Sequence, residues 1–217
     1  MTSPARAHKQ AVLAAQSADV DLAAAEPYRR LQFLLVQDRK ILESIKGVPD
    51  KITAKRQMIE KYRPWLEEVF ASGRAQSSDT VFTTALLWLI DIGDLEAAAP
   101  LAEFAIAQDM AVSDQYRRDL KDLMFEEIAE QLAAGADLSN AAETRLTDML
   151  TATDPETGLH VLNVMDQIRA KFLKACGERA EKADPARALA LYEKALAYSG
   201  NVGVKKRIAD LKKQTAA

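Results

Sequence analysis

The chain has 217 residues, 48% of them apolar, and its 29 Lys and Arg against 32 Asp and Glu give a formal net charge of −3. The longest apolar runs, such as 31–36 and 85–90, are far shorter than the roughly 20 residues that span a bilayer, which excludes a transmembrane helix. Cys176 is the only cysteine in the sequence, which excludes an internal disulfide and a metal site built from several cysteines.

Residues 1–25 form a polar and then alanine-rich N-terminal arm, which we expect to be mobile or marginally helical. The arm lacks the hydrophobic core of a signal peptide, so we expect no export and a cytoplasmic setting. A stronger helix is predicted from Pro27, because proline suits the first helical turn and apolar residues then recur at helical spacing. Its predicted stripe consists of Leu31, Leu34, Leu35, Asp38, Ile41, Leu42 and Ile45, and Gly47-Val48-Pro49 ends it.

Two shorter helices are predicted next. Asp50 is expected to cap a helix that reaches about Tyr62, and Pro64 is expected to begin another that Gly73 closes. The predicted core residues of this last helix are Trp65, Leu66, Val69 and Phe70. The polar residues 72–79 follow, and because composition and charge both change there, we place a soft domain boundary near residue 75.

The stretch from Thr84 to Ala107 predicts a helical hairpin at the centre of the fold. Gly93 lies where a residue just past a helix end adopts positive φ at little cost. Asp94 is expected to cap the second helix through its carboxylate, and Pro100 to kink or loosen that helix near its start. The first helix is expected to be capped by Ser78 or Asp79.

Five further helices are predicted after the hairpin. Three of them cover 115–134, which Gly135 ends, 138–151 and 157–175. Asp184-Pro185 then provides a capping carboxylate and a first-turn proline for a helix to Tyr198. A basic last helix is expected to bury Val204, Ile208 and Leu211.

These patterns predict an all-α fold of helical hairpins around a central helix pair. A weak repeat, in which Asp94 aligns with Asp184, leaves a partly tetratricopeptide-like arrangement as an alternative to separate hairpins. We expect three parts: the arm 1–25, a basic helical segment 26–74 as a candidate for DNA binding or oligomerisation, and a helical domain 75–217. The last part has an acidic centre and a basic C-terminal helix.

The small net charge conceals a strong segregation along the chain. Residues 1–74 carry 13 basic against 9 acidic side chains, residues 75–170 carry 5 against 18, and residues 171–217 carry 11 against 5. An acidic middle with basic ends suits either charge neutralisation between subunits or the binding of a polyanion.

Basic helix faces bind nucleic acid because neutralising several phosphates releases condensed counterions, without any reading of bases. The alternative for each group of cations is a solvated helix face with intrahelical ion pairs. The candidate DNA-binding residues are Arg29, Arg30, Arg39 and Lys40 in a first group, Lys51, Lys55, Arg56, Lys61 and Arg63 in a second, and Lys205, Lys206, Arg207, Lys212 and Lys213 in a third.

The sequence gives little support for catalysis or for a cofactor. His8, His160 and Cys176 are too scattered for a zinc site, and no glycine-rich phosphate or dinucleotide loop is present. Two groups of carboxylates are candidates for magnesium, although capping and surface charge explain both more simply: Asp91, Asp94 and Glu96, and Asp122, Glu126 and Glu127. We therefore expect no cofactor and no metal, and we assign no catalytic residue.

Five segments carry a resemblance to a known family through their order and spacing. They read MTSPARAH at 1–8, YRPWLEEV at 62–69, LLWLIDIGDLEAA at 86–98, YRRDLKDLMFEEIA at 116–129 and GVKKRIADL at 203–211. With these segments, which extend over most of the chain, the sequence resembles the small terminase subunits of temperate contractile-tailed bacteriophages, the type named terminase endonuclease subunit.

The resemblance implies a protein that recognises the packaging site in concatemeric duplex phage DNA and loads the large terminase subunit, which carries ATPase and cutting activity. It also implies a homo-oligomeric ring in the cytoplasm of the infected host bacterium, with no membrane contact. None of the five segments contains a nuclease motif, so we expect cutting to belong to the holoenzyme. The alternatives are a helical-repeat scaffold that binds proteins without DNA, and an autonomous magnesium-dependent endonuclease.

Overall fold

The computed structural model describes residues 26–112 and 118–215, and within these ranges the fold is all-α, as predicted. A 3₁₀ turn, Ile59–Lys61, lies between the second and third helices. The helices are α1 Pro27–Ser44, α2 Val48–Met58, α3 Arg63–Ser72, α4 Thr80–Asp91, α5 Leu95–Ala107, α6 Leu120–Ala133, α7 Asn140–Thr151, α8 Asp166–Ala180, α9 Pro185–Tyr198 and α10 Lys205–Thr215. None of these helices is long and apolar enough to cross a membrane.

The chain divides into two compact units, one up to Ile45 and the other from Lys46 onward. In the first unit, α1 begins at Pro27 as predicted, and its buried side chains Leu35, Asp38 and Leu42 lie at helical spacing on one face. The predicted arm 1–25 lies outside the described residues, and the domain boundary near residue 75 stays a prediction.

The start of α2 differs from the prediction. Gly47 is the residue that precedes the helix, Pro49 lies in its first turn, and Asp50 is already helical instead of acting as the cap. The helix therefore starts three residues earlier than expected, at Val48 instead of Lys51, because the fixed φ of proline suits the first turn. Asp50 still lies favourably near the positive end of the helix dipole.

The next helix, α3, ends at Gly73 as predicted, with φ +66° in the left-handed region that favours glycine. Leu66 and Val69 are buried, which confirms them as core residues. Phe70 is exposed, so its prediction as a core residue is wrong, although its ring meets that of Phe104 edge to face at 5.5 Å.

The predicted central hairpin is formed by α4 and α5. Every residue from Val81 to Ile90 is buried, because α3, the 3₁₀ turn, α5 and α6 all pack around α4. Asp79 caps α4 by accepting the backbone N–H of Phe82 at 2.9 Å, and Gly93 takes φ +78° in the turn. Asp79 also accepts the indole N–H of Trp65 at 2.9 Å, which joins α3 to the start of α4.

The second helix of the hairpin departs from expectation at its cap. Asp94 precedes α5 as predicted, but its carboxylate accepts no backbone N–H of the first turn and instead receives the guanidinium of Arg63 at 2.8 Å. An ion pair from another element thus replaces the expected cap. The helix runs through Pro100 without a break in its assigned range, since proline removes only one backbone donor.

The remaining helices pack on one another both as neighbours in sequence and across an intervening helix. α6 packs on α8, with the rings of Phe125 and Phe172 edge to face at 5.3 Å, and α9 packs on both α8 and α10. α6 begins after Asp119, and residues 115–117 of the predicted helix lie outside the described residues. The last helix buries Val204, Ile208 and Leu211, as predicted.

The largest correction concerns residues 157–165, for which the sequence predicts a helix. They form a loop, and α8 begins only at Asp166 and extends to Ala180. By contrast, Asp184 caps α9 as predicted, by accepting the backbone N–H of Arg187 at 2.9 Å with Pro185 in the first turn.

Candidate nucleic-acid interface

The cations of α1 lie on its solvent side. Arg29, Arg30 and Lys40 are exposed and have no ion pair within the described ranges, whereas Arg39 is half-buried and is not a free cation. Arg29 and Lys40 are separated by about three helical turns, so they lie on nearly the same face, about 16 Å apart along the axis. This face therefore presents exposed cations at two places.

The second predicted group of cations is largely engaged within the protein. The ammonium of Lys55 pairs with the carboxylate of Asp91, Arg56 donates to the carbonyl of Ile92 at 3.3 Å, and Arg63 binds Asp94. We call this cluster the tip clasp; it consists of Lys55, Arg56, Arg63, Asp91, Ile92 and Asp94. It fastens the segment 55–63 to the turn of the central hairpin.

In the tip clasp, Lys55, Arg56 and Arg63, which the sequence marked as candidate DNA-binding residues, bind groups of the protein itself. Arg63 also pairs with Glu60 at 2.9 Å, and its hydrogen bond to Asp94 raises the pKa of the guanidinium. Of the other members of this group, Lys51 is half-buried and Lys61 is exposed but not without a partner. The second group is therefore mainly a set of internal contacts.

The third group forms a lysine-rich surface on α10. Val204, Ile208 and Leu211 are buried on one side. Helical spacing puts Lys206 and Lys213 on the opposite side and Lys205 and Lys212 on the flank between. We call this surface the lysine face; it consists of Lys205, Lys206, Lys212 and Lys213. Lys212 pairs with Glu193 at 2.7 Å, while the other three are exposed and unpaired among the described residues.

Arg207, the remaining member of this group, makes contacts within the protein. Its guanidinium donates to Glu181 at 2.6 Å and to the hydroxyl of Tyr192 at 3.0 Å, and it pairs with Glu178 at 3.1 Å. The Tyr192 hydroxyl donates to the same Glu181 carboxylate, and this hydrogen bond lowers the pKa of Glu181. These contacts fix α10 to α8 and α9 and so hold the lysine face outward.

A buried carboxylate that the sequence did not single out joins three other segments. Glu143 of α7 is almost fully buried and pairs with Arg179 at 3.1 Å and Arg187 at 2.9 Å. Arg179 also donates to the carbonyls of Ala136 at 2.8 Å and Leu138 at 2.7 Å. Helical spacing alone does not reveal such a site, because its partners are far away in sequence.

The carboxylates considered for magnesium point to separate partners. Asp91 and Asp94 belong to the tip clasp, and Glu96 accepts the backbone N–H of Ser139 at 2.9 Å, which lowers the pKa of Glu96. Within the described ranges no group of three or more metal-ligating side chains is placed to hold a metal ion. Asp91, Asp94 and Glu96 therefore serve internal contacts of the protein.

Comparisons with known proteins agree with the resemblance. The sequence profile described as phage small terminase subunit matches residues 32–157. The chain is also similar to the protein named "Terminase, endonuclease subunit" of Escherichia phage P2, with 29% identity over 221 residues that cover 99% of this chain and 86% of the relative. No solved structure matches the chain. Because the profile covers more than half of the sequence, the chain belongs to the phage small terminase subunit family and has a role in phage DNA packaging.

Proposed function

We propose that this protein binds duplex phage DNA at the packaging site and directs the large terminase subunit to it, so that concatemeric DNA is cut by the holoenzyme. The observation that carries the proposal is the lysine face of α10, where Lys205, Lys206 and Lys213 are exposed without an ion pair among the described residues. Unpaired cations that share one helix side match the charge pattern of a phosphate backbone.

The exposed cations of α1 provide a second surface for the same role. Arg29 and Lys40 share one face, with Arg30 beside it. The tip clasp contributes in a different way, because Lys55, Arg56 and Arg63 reach a phosphate only after they release Asp91, Ile92 and Asp94. We therefore propose α1 and α10 as the main DNA contacts and the tip clasp as a structural support.

The test is fluorescence anisotropy of the protein on duplex DNA from a phage packaging end and on scrambled duplex, titrated across salt. We expect tighter binding to the packaging end and a steep loss of affinity with salt. The double charge reversals Lys205→Glu/Lys206→Glu and Arg29→Glu/Arg30→Glu should each flatten the log–log salt slope by about two, since each lost phosphate contact changes it by about 0.9.

The matched control is Lys182→Glu/Lys194→Glu, which makes the same change of net charge at two exposed lysines outside both surfaces. We expect this variant to retain a slope close to that of the parent protein. If a reversal on α1 or α10 changes affinity and slope no more than the control does, that helix is not a DNA contact.

The competing function is an interaction scaffold that binds only proteins. The specific observation in its favour is that residues 75–170 carry 18 acidic against 5 basic side chains, a balance that repels DNA. If the protein is such a scaffold, the parent protein will show no binding to either duplex at low salt but will still bind the large terminase subunit. Nicking by the purified protein alone, abolished by a chelator, would instead indicate an autonomous nuclease.

We also propose that the protein assembles into a homo-oligomeric ring. The support is the alternation of basic, acidic and basic regions along the chain, because contact between unlike regions of neighbouring copies neutralises both.

A further inference from the structure

The loop between α7 and α8 contains a small β-hairpin on the protein surface. The backbone N–H of Asp154 donates to the carbonyl of Leu159 at 2.8 Å, and that of Val161 donates to Ala152 at 3.0 Å. Thr153 and His160 lie opposite each other as an antiparallel pair between these bonds. We call this element, residues 152–161, the surface hairpin.

The turn of the surface hairpin is held by one carboxylate. Asp154 accepts the backbone N–H groups of Glu156 at 3.0 Å and Thr157 at 2.8 Å, and the Thr157 hydroxyl at 2.9 Å. Gly158 follows with φ +70°, a value that favours glycine. These contacts stabilise the turn.

The inner side of the surface hairpin is fastened to the helices beneath it. Arg169 of α8 is only 1% exposed, and its guanidinium donates to the carbonyls of Leu150 and Leu162 on either side of the surface hairpin. The ring of His160 lies 5.4 Å from that of Tyr198, and the Arg169 guanidinium lies over the same tyrosine ring at 5.7 Å. The inner face of the surface hairpin is thus anchored to α8 and α9.

Its outer face is apolar and open to solvent. Because side chains alternate along a strand, Leu159 and Val161 point away from the side that carries His160, and they are 70% and 63% exposed. Met165, 47% exposed, lies just before α8. Large apolar side chains held outward on a fixed scaffold are typical of protein contact sites.

The charges along this stretch of the chain indicate the kind of partner. No Lys or Arg occurs from residue 146 to residue 168, whereas the carboxylates there are Asp148, Asp154, Glu156 and Asp166. A segment with this charge repels phosphate and attracts Lys and Arg. The outer face therefore fits a protein segment whose apolar side chains are flanked by basic ones.

We propose that the outer face of the surface hairpin, with Leu159, Val161 and Met165, is the docking site for a basic and apolar segment of the large terminase subunit. This assignment rests on the proposed function, which requires contact with that subunit. It places the protein contact on an acidic region and the DNA contacts on basic helices, so that the two ligands use surfaces of opposite charge.

The test measures the binding of the purified full-length chain to the purified large terminase subunit by biolayer interferometry. We expect Leu159→Ser/Val161→Ser to raise the Kd about tenfold or more, because it removes two apolar contacts. Asp148→Lys/Glu156→Lys should weaken binding as well and reduce its salt dependence, since it removes the charge complementarity. Both variants should keep the melting temperature of the parent protein, and Leu159→Ser/Val161→Ser should also keep its DNA affinity.

The matched control is Val36→Ser/Val48→Ser, which removes two apolar side chains that are 48% and 67% exposed elsewhere in the chain. We expect it to bind the large subunit as the parent does. Surface hairpin variants that bind as tightly as this control would overturn the docking site. A lower oligomer mass with unchanged large-subunit binding would also overturn it, because the face would then contact a second copy.

Binding of the parent protein to the large subunit distinguishes failure of the docking site from failure of the proposed function. If the parent protein does not bind the large subunit at all, the proposed function fails at that step and the docking site fails with it. If it binds and only the surface hairpin variants lose affinity, both are supported.

Discussion

Gly177 shows how a single missing methyl group allows two helices to pack closely. A Cβ atom at this position of α8 would lie 2.6 Å from the ring of Tyr192 on α9. That distance is shorter than any normal contact, and the ring belongs to the buried core, so neither group has room to move.

We therefore expect Gly177→Ala to lower the free energy of unfolding by about 1–3 kcal/mol through overpacking, against the gain of up to about 1 kcal/mol that alanine usually brings to a helix. Urea denaturation measures the change. Gly200→Ala is the matched control, because a methyl group added there would meet nothing within 4 Å. The stability of this control should stay within about 0.5 kcal/mol of the parent value.

Glu143 provides the second prediction at the level of single residues. Removing its carboxylate leaves Arg179 and Arg187 without their partner in a largely buried setting. We expect Glu143→Ala to cost about 3–5 kcal/mol of unfolding free energy, as is typical when one member of a buried ion pair is removed.

The control for Glu143 is another glutamate that pairs with an arginine at the surface. Glu103 binds Arg145 at 2.9 Å, and the arginine side chain is 51% exposed. Glu103→Ala should change stability by only about 0–1 kcal/mol, because water screens the pair. Equal costs for the two substitutions in thermal or urea unfolding would show that Glu143 is not a buried structural charge.

At the level of whole elements, we expect the surface hairpin to respond to acid. The backbone N–H of Thr157 lowers the pKa of Asp154, so the charged carboxylate stabilises the folded turn above the ordinary aspartate value near 3.9. This contribution is lost as the pH falls through the lowered pKa of the folded state. We expect the amide protons of Glu156 and Thr157 to lose protection below about pH 4, measured by hydrogen exchange.

A matched variant isolates the role of that carboxylate. Asp154→Asn retains an oxygen that accepts hydrogen bonds but does not titrate in this range. In this variant, the backbone amides of Glu156 and Thr157 should therefore show little change in relative protection between about pH 5 and pH 3. The prediction fails if the parent protein and Asp154→Asn respond to acid alike.

Local signals in the sequence predicted most of the helices. The central hairpin followed from Gly93 and from the apolar run before it, and the start of α9 followed from Asp184-Pro185. These signals work because capping and positive φ are properties of a few consecutive residues. The same local rules placed the cap of α2 at Asp50 instead of Gly47, since both a proline and an aspartate occur there.

Such local rules do not predict contacts between residues that are far apart in the sequence. The predicted helix at 157–175 was wrong in its first part, because the turn around Asp154 and the anchoring by Arg169 outweigh the helical spacing of apolar residues there. Likewise, charge alone marked Lys55 and Arg63 as cations for DNA, and only the fold shows that Asp91 and Asp94 lie beside them.

For the molecule as a whole, the segregation of charge gives a test of the proposed ring. If basic and acidic regions of neighbouring copies meet, salt should weaken the contact, because screening acts most on exposed charges. We expect sedimentation velocity to show a smaller oligomer above about 0.5 M salt than at about 0.05 M, where the Debye length exceeds about 10 Å. A mass that is independent of salt would indicate an apolar interface.

The packing of α6 against α8 has a consequence for synthesis. Phe125 meets Phe172, which leaves the ribosome roughly 50 residues later, or about 2–10 s at about 5–20 residues per second. During this interval the side of α6 that later faces α8 lacks its partner. A recombinant fragment that stops at Thr151 retains that defect permanently, and we expect it to aggregate under conditions in which the full chain stays in solution.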